Sequence, residues 1–165
     1  MTVRRAGPED ARCIAVVHVR TWQAAYRHAF PAEVLEQLSV DKRETQWRDW
    51  LDRGATVWVA VDGPRVAGFA AAGPSDTEEN VAELFAIYVL PEHWGSGAAH
   101  ELMGAATDWF RAEDYTSAML WMLADNPRAR RFYEREGWRF DGTRTDVVRG
   151  VEVDEARYRI ILKLG

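Results

Sequence analysis

Apolar positions in the first half of the chain recur first at helical and then at strand spacing. A helical period of about 3.6 residues links Ile14, Val17, His18, Thr21, Trp22 and Ala25. Val57, Val59 and Val61 alternate as in a half-buried strand, and Asp62-Gly63 indicates a hairpin turn. The predicted elements are a strand over 2–5, a helix ending before Pro31, a short helix through Leu38, a polar helix over 41–52, and strands over 57–61 and 65–72.

In the second half, apolar runs alternate with amphipathic stretches. The pattern predicts strands over 82–90, 117–123, 138–148 and 153–163, and helices over 98–110 and 127–136. Residues 117–123 are apolar on both faces, as expected for a central strand covered by helices. A chain of 165 residues is long enough for one sizeable core and short for two typical domains. We expect a single α/β domain over 1–165, with a mixed sheet of six to seven strands and about four flanking helices.

Composition narrows the class of protein. Hydrophobic residues at 47% and charged residues at 28% indicate a globular protein, and no apolar run approaches the length that spans a membrane. The net charge of −5 argues against nonspecific nucleic-acid binding. The single cysteine, Cys13, rules out an intrachain disulfide and fits a reducing compartment, so we expect a cytoplasmic protein with a buried thiol. The four histidines show no metal-ligand spacing with carboxylates.

Two glycines separate the predicted strand over 82–90 from the helix that follows it. Gly95 and Gly97 precede a helix whose first N–H groups have no partner within the helix, and such an N-terminus binds phosphate or pyrophosphate. A P-loop ending is absent, and His100 stands where a dinucleotide fingerprint needs a third glycine. An ordinary tight turn is the alternative interpretation. The pattern favours a phosphorylated cofactor.

A second motif follows the predicted strand over 117–123. It contains Asn126, Ala129, Phe132, Tyr133, Gly137 and Trp138 in a block that resembles the GCN5-related N-acetyltransferase (GNAT) superfamily. The loop from Trp94 to Ala99 is similar to the Gln/Arg-x-x-Gly-x-Gly/Ala signature of the same superfamily. Trp94 departs from this signature, because it replaces the Gln or Arg that helps to hold the loop or the phosphates.

The resemblance implies acetyl-CoA as cofactor and a fold whose fourth and fifth strands splay apart at their C-terminal ends. The pantetheine arm would pair with strand-four backbone, and the Val89 amide would donate to the oxyanion. The implied cofactor-binding residues are Ile87, Tyr88, Val89, Leu90, Trp94, Gly95, Ser96, Gly97, Ala98, Ala99, Asn126, Arg128, Ala129, Phe132 and Tyr133. Arg128 belongs to a basic run with Arg130 and Arg131, which could meet the 3′-phosphate or form a charged outer face.

Two residues are candidates for proton transfer. The resemblance places Tyr133 beside the thioester sulfur as a general acid, and a phenol with a reference pKa of about 10 is protonated at neutral pH. Packing on its helix face is the alternative for Tyr133. Several relatives use a glutamate at the position of Glu83 as a base that acts through water, although an exposed carboxylate explains Glu83 equally well. Glu78 and Glu79 are fallback candidates for the base.

Asn126 has two interpretations of equal weight. It precedes Pro127 and suits a helix N-cap, and in the superfamily this asparagine contacts the pantetheine amides. The acceptor cleft of the superfamily is walled by the first two helices and the last hairpin. These elements offer aromatic residues and carboxylates suited to a small cationic amine, namely Trp22, Tyr26, Phe30, Asp146, Glu152, Asp154 and Glu155.

The resemblance therefore predicts an acetyl-CoA-dependent N-acetyltransferase that moves an acetyl group to a primary amine of a small molecule by direct attack in a ternary complex. Two alternatives stay open: an acetyltransferase for protein N-termini or lysines, and a non-catalytic acyl-CoA-binding module. The expected partner is the amine acceptor, with neither nucleic acid nor membrane, and a homodimer is an assembly that the resemblance allows.

Overall fold

The computed structural model describes residues 1–162, and these form seven strands and five α-helices. The elements in chain order are β1 Thr2–Arg5, α1 Ala11–Ala25, α2 Ala32–Glu36, α3 Val40–Asp52, β2 Thr56–Asp62, β3 Arg65–Pro74, β4 Val81–Val89, α4 Ala98–Ala112, β5 Ser117–Leu123, α5 Pro127–Arg135, β6 Arg139–Val148 and β7 Val151–Ile161. The predicted mixed sheet is confirmed, with one more helix than the expected four. The end of the predicted last strand, at Lys163, lies outside the described residues.

The hydrogen-bonded strand order is β1-β2-β3-β4-β5-β7-β6. Antiparallel pairing joins β1 to β2, β2 to β3, β5 to β7 and β6 to β7. The strands β4 and β5 pair in parallel, from Val81 opposite Ser117 to Glu83 opposite Met119. Within residues 1–162 this parallel ladder ends at Glu83, although β4 itself continues to Val89.

The first of two compact units comprises Met1–Ala72 and Ala86–Ala106. Its core combines one apolar face of each of α1 and α3 with alternate residues of β2 and β3. The largest side chains in this core are Ile14, Trp47, Leu51, Phe69 and Leu90. Because α1 turns Ala11, Ile14 and Ala15 inward, Cys13 falls on the outer face and is exposed, so the prediction of a buried thiol was wrong.

The second unit comprises residues 73–85 and the chain from Thr107 onward. The strand β5 is buried on both faces over Ser117–Leu120, which confirms its predicted central position. Trp138 is fully buried and its ring contacts that of Tyr133. In the described part of the chain, no helix is both long and apolar enough to cross a membrane.

Candidate functional site

In the first unit, the connection from β4 to α4 contains the two glycines that the sequence places before the helix. Gly95 and Gly97 have φ angles of 81° and 89°, a region that glycine enters without steric cost. A Cβ atom at either position would meet nothing within 4 Å, so the surface of the loop is open. The fifteen-residue helix α4 begins at Ala98 and adds its dipole to this opening. The predicted succession of strand, glycine loop and helix is confirmed.

Side chains hold this loop at several points. The Trp94 indole Nε1–H donates to the Val89 carbonyl oxygen at 2.8 Å. Arg20 of α1 forms a two-pronged ion pair with Glu92, with N···O distances of 2.9 and 3.1 Å. Ser96 Oγ accepts from the Ala98 N–H at 3.3 Å, so this amide of the helix start already has a partner within the loop. The loop is thus shaped by its own contacts before any ligand is considered.

The end of β4 lies close to β3 at one position. A Cβ on Gly68 would lie 2.7 Å from the Tyr88 carbonyl oxygen and 3.2 Å from Val89 Cα, so only glycine fits there without a shift. The N–H of Val89 belongs to the same planar peptide as the Tyr88 carbonyl and points in the opposite direction. The Val89 amide, the predicted oxyanion donor, is therefore directed away from Gly68 of β3.

An aromatic cluster occupies the same unit. The Trp22 ring lies 4.9 Å from that of Tyr26 and 5.3 Å from that of Phe30, so the structure brings these three predicted acceptor residues together. Trp22 Nε1 also donates to the Tyr88 hydroxyl at 3.3 Å. Sequence reasoning considered only the backbone of Tyr88 and missed its side chain. The alternation of side chains along β4 gives the face on which the Tyr88 side chain lies, but it does not identify Trp22 as its hydrogen-bond partner.

His18 is held by the same cluster. Its Nδ1 accepts a hydrogen bond from Trp47 Nε1 at 3.2 Å, and its ring stacks on that of Tyr88 at 5.5 Å. Because Nδ1 accepts, the proton of the neutral imidazole lies on Nε2. The place of His18 among the apolar positions of the first predicted helix indicates a core histidine rather than a base, and these contacts agree with that interpretation.

In the second unit, Glu83 is half-buried on β4. Burial raises the pKa of its carboxyl, the negative charge of Asp76 raises that pKa further, and Arg144 opposes both effects. Glu78 instead accepts two hydrogen bonds from Arg159, at 2.8 and 3.1 Å. Glu83, with a raised carboxyl pKa and, over residues 1–162, no ion pair to a guanidinium such as that of Glu78, has the environment better suited to a base.

Asn126 caps α5, because its Oδ1 accepts from the Ala129 N–H at 3.1 Å. The N-cap interpretation is confirmed, and it is compatible with a cofactor contact through the rest of the amide. Along α5, Arg128, Arg130 and Arg131 are exposed, whereas Ala129 and Phe132 are partly buried.

Tyr133 lies in an aromatic group on the inner side of α5. Its ring is 5.4 Å from that of Phe132, 6.3 Å from that of Tyr158 and 6.4 Å from that of Trp138. These contacts support the packing interpretation and also hold the phenol in a defined place. Its role as an acid stays a prediction.

The carboxylates predicted to wall the acceptor cleft are partly neutralised. Glu155 pairs with Arg144 at 2.8 Å, and Asp146 lies 3.7 Å from the same guanidinium. Arg144 in turn stacks over Trp121 at 4.0 Å from the ring centroid. Sequence reasoning missed both Arg144 and Trp121, because the register that places them on one face is set by pairing between distant strands. Among residues 1–162, no group of histidine, cysteine and acidic side chains could hold a metal ion.

Comparison with known proteins identifies relatives of the whole fold. The sequence model of the acetyltransferase (GNAT) family matches residues 19–138. The uncharacterized N-acetyltransferase YuaI of Bacillus subtilis is 35% identical over 130 residues, which cover 77% of this chain and 74% of that protein. The mycothiol acetyltransferase of Streptomyces griseus is 31% identical over 84% of this chain, and the matched part is 43% of its length. The structure of YncA from Salmonella typhimurium with its cofactor acetyl-CoA superposes with a TM-score of 0.76 at 20% identity, covering 100% of this chain and 95% of that chain.

Proposed function

Because the chain belongs to the acetyltransferase (GNAT) family, we propose that it transfers an acetyl group from acetyl-CoA to the primary amine of a small molecule, by direct attack in a ternary complex. The observation that carries this proposal is the open loop at the start of α4, where two glycines with positive φ precede a fifteen-residue helix. That loop fits a diphosphate, because backbone N–H groups and the helix dipole favour an anion there and the space next to Gly95 and Gly97 is open.

Bound acetyl-CoA supplies an acyl thioester, and the residues of this chain supply the rest. The backbone of Trp94–Ala99 would hold the diphosphate, and that of Ile87–Leu90 the pantetheine arm. The Val89 N–H would donate to the carbonyl oxygen as negative charge develops on it. These roles are proposed from the resemblance and from the backbone geometry at each position.

Proton transfer is assigned to two residues. Glu83 would accept the proton of the amine through a water molecule, and its raised pKa makes the carboxylate a stronger base than an ordinary glutamate. Tyr133 would donate to the departing thiolate, and Asn126, Arg128, Ala129 and Phe132 are proposed as further cofactor contacts. The three-ring group around Tyr133 fixes the direction of its phenol, as a proton donor requires.

A small-molecule acceptor is supported by the similarity to mycothiol acetyltransferase, because that protein is named after mycothiol and not after a protein substrate. The ion pairs of Glu155 and Asp146 with Arg144 weaken the argument for a strongly cationic acceptor. We therefore propose a primary amine without requiring additional positive charge.

An amine panel tests the proposal. The protein is incubated with acetyl-CoA and amino acids, amino sugars, polyamines, arylamines, and peptides with free N-termini or lysines, and released thiol is measured. We expect acceleration by at least one small amine and little by peptides. Faster turnover with peptides would support the protein acetyltransferase alternative, and tight CoA binding without turnover for any amine would support the non-catalytic module.

Two variants of one glycine test the diphosphate site. Gly97→Asp places a carboxylate at the loop, whereas Gly97→Asn has nearly the same shape and the same positive φ without the charge. We expect Gly97→Asp to weaken CoA binding by about tenfold or more relative to Gly97→Asn, through repulsion of the diphosphate. Isothermal titration calorimetry measures the difference, and equal affinities would remove the loop from the binding site.

A further inference from the structure

The side chain of Trp94 turns back to the strand that precedes it. Its indole Nε1–H donates to the Val89 carbonyl oxygen at 2.8 Å, while 40% of the residue remains exposed. Indole is a donor only, so the bond has one direction and depends on a single N–H. The Gln or Arg of the family signature is thus replaced here by a residue that is bonded to the backbone of β4.

The peptide between Val89 and Leu90 is held on both sides. Its carbonyl accepts from Trp94, and its N–H donates to the Ala67 carbonyl oxygen at 2.8 Å. Because the peptide is planar, its C=O and N–H point in opposite directions, and two bonds restrict its rotation more than either alone. The bond from Trp94 therefore restricts the ψ angle of Val89.

The preceding peptide, between Tyr88 and Val89, lies close to Gly68 of β3. The Tyr88 carbonyl oxygen lies 2.7 Å from the position that a Cβ on Gly68 would occupy, so it faces β3. The Val89 N–H of the same planar peptide therefore points away from β3. Val89 thus lies between one peptide that two hydrogen bonds hold and one whose carbonyl faces β3, all within the same unit. Its N–H is the proposed donor to the acyl oxygen.

We propose that Trp94 is a positioning residue for acetyl transfer, which acts through its indole N–H on the end of β4 rather than by binding the diphosphate. This inference rests on the proposed function. The shape of the diphosphate loop has other supports, since Arg20 pairs with Glu92 and Ser96 accepts from the Ala98 N–H. Loss of the indole donor should therefore affect the rate of transfer more than cofactor affinity.

The test removes the donor without removing the ring. The full chain is prepared with 3-benzothienylalanine at position 94, in which sulfur replaces the indole N–H, and in parallel as Trp94→Phe. The control is Trp50→Phe, which alters an exposed indole on α3. kcat is measured with the best amine of the panel, CoA affinity by calorimetry, and amide exchange at Leu90 by hydrogen–deuterium exchange.

We expect both position-94 variants to lower kcat by about tenfold to a hundredfold, with less than about a threefold change in CoA affinity and with faster exchange at Leu90. Trp50→Phe should change none of the three. Wild-type kcat in the benzothienyl variant, or a loss confined to CoA affinity, would overturn the role of Trp94 while leaving the proposed function intact. Absence of turnover in the wild-type protein would overturn the proposed function first.

Discussion

At the scale of single residues, the candidate site depends on where each polar group finds its partner. Glu83 and Glu78 are both acidic and only five positions apart, yet Glu78 is bound by Arg159 and Glu83 is half-buried with a raised pKa. Burial disfavours the charged form of a carboxyl, so the same residue type has a raised pKa and greater basicity in one place and is an ion-pair partner in the other.

We predict opposite effects of Glu83→Gln on activity and stability. The variant should lose about a hundredfold in kcat, because the amide cannot accept the proton. Its melting temperature at pH 8 should exceed that of the wild type, since the raised pKa means that folding opposes ionisation of this carboxyl. The neutral Glu83 carboxyl contributes to the free energy of unfolding at low pH. This contribution is lost as pH rises from the ordinary glutamate pKa through the raised pKa. At about pH 4, where the wild-type carboxyl is protonated, the two melting temperatures should converge.

Differential scanning fluorimetry and the thiol-release assay check this prediction over one pH series. Glu113→Gln, at an exposed position just after α4, is the control and should change neither quantity. An unaltered kcat in Glu83→Gln would exclude the carboxylate as the base. In the wild type, kcat/KM should rise with pH through the raised pKa of Glu83.

At the scale of elements, local sequence patterns predicted most of the helices and strands. The residues at which these elements begin and end are set by caps and turns. The strand β5 spans the predicted residues, because it is a short apolar run that begins after Thr116 and ends two residues before Asp125. The helix α5 begins at Pro127, directly after the N-cap Asn126, as the sequence predicts. By contrast, β3 extends to Pro74, beyond the predicted 72, and no local pattern marks that extension.

Substitution of the cap of α5 separates its two roles. Asn126→Ala should lower stability by about 1 kcal/mol, because the Ala129 N–H loses its partner. A chain of this size should then melt about 2–4 °C lower. Asn126→Ser keeps a capping oxygen, so we expect it to restore the melting temperature but not the affinity for CoA, if the amide contacts the pantetheine arm. Restoration of both would leave Asn126 as a cap alone.

A glycine in α4 offers a gain in stability. Gly104 is exposed within the helix, and a Cβ there would meet nothing within 4 Å. Gly104→Ala should therefore stabilise the protein by about 0.5–1 kcal/mol, since alanine loses less backbone entropy in a helix. Gly54→Ala is the contrast: the space is equally open, but φ is +90°, and the substitution should destabilise. Urea denaturation measures both, and a gain at each site would contradict the conformational argument.

At the scale of the whole molecule, each compact unit contains a carboxylate that the fold keeps ionised. In the first unit, two hydrogen bonds from Arg4 lower the pKa of Asp10, an effect that burial opposes. In the second unit, burial is the largest influence on Asp141 and raises its pKa, but hydrogen bonds from Arg159 and Arg157 outweigh it and lower the pKa. Both groups couple folding to pH in the same direction.

Acid should therefore destabilise both units. A lowered carboxyl pKa contributes stability that is present above the ordinary value of about 4 and is lost as pH falls through the lowered pKa. We expect the urea midpoint to fall as pH is lowered below about 4. Asp10→Asn should cost about 1–2 kcal/mol at pH 7 and reduce this dependence, because the charged bonds to Arg4 are gone. Asp52→Asn, at an exposed position, is the control, and an equal pH dependence in Asp10→Asn would contradict the assignment.

The sequence by itself determined the order of elements, the central place of β5, the glycine loop before α4 and the cap of α5, because each depends on residues close together in the chain. It could not determine which glutamate is bound by Arg159, that Trp94 bonds to Val89, or that Arg144 lies over Trp121. The pKa values and backbone directions at the candidate site depend on burial and on strand register, and both arise only when segments far apart in sequence pack together.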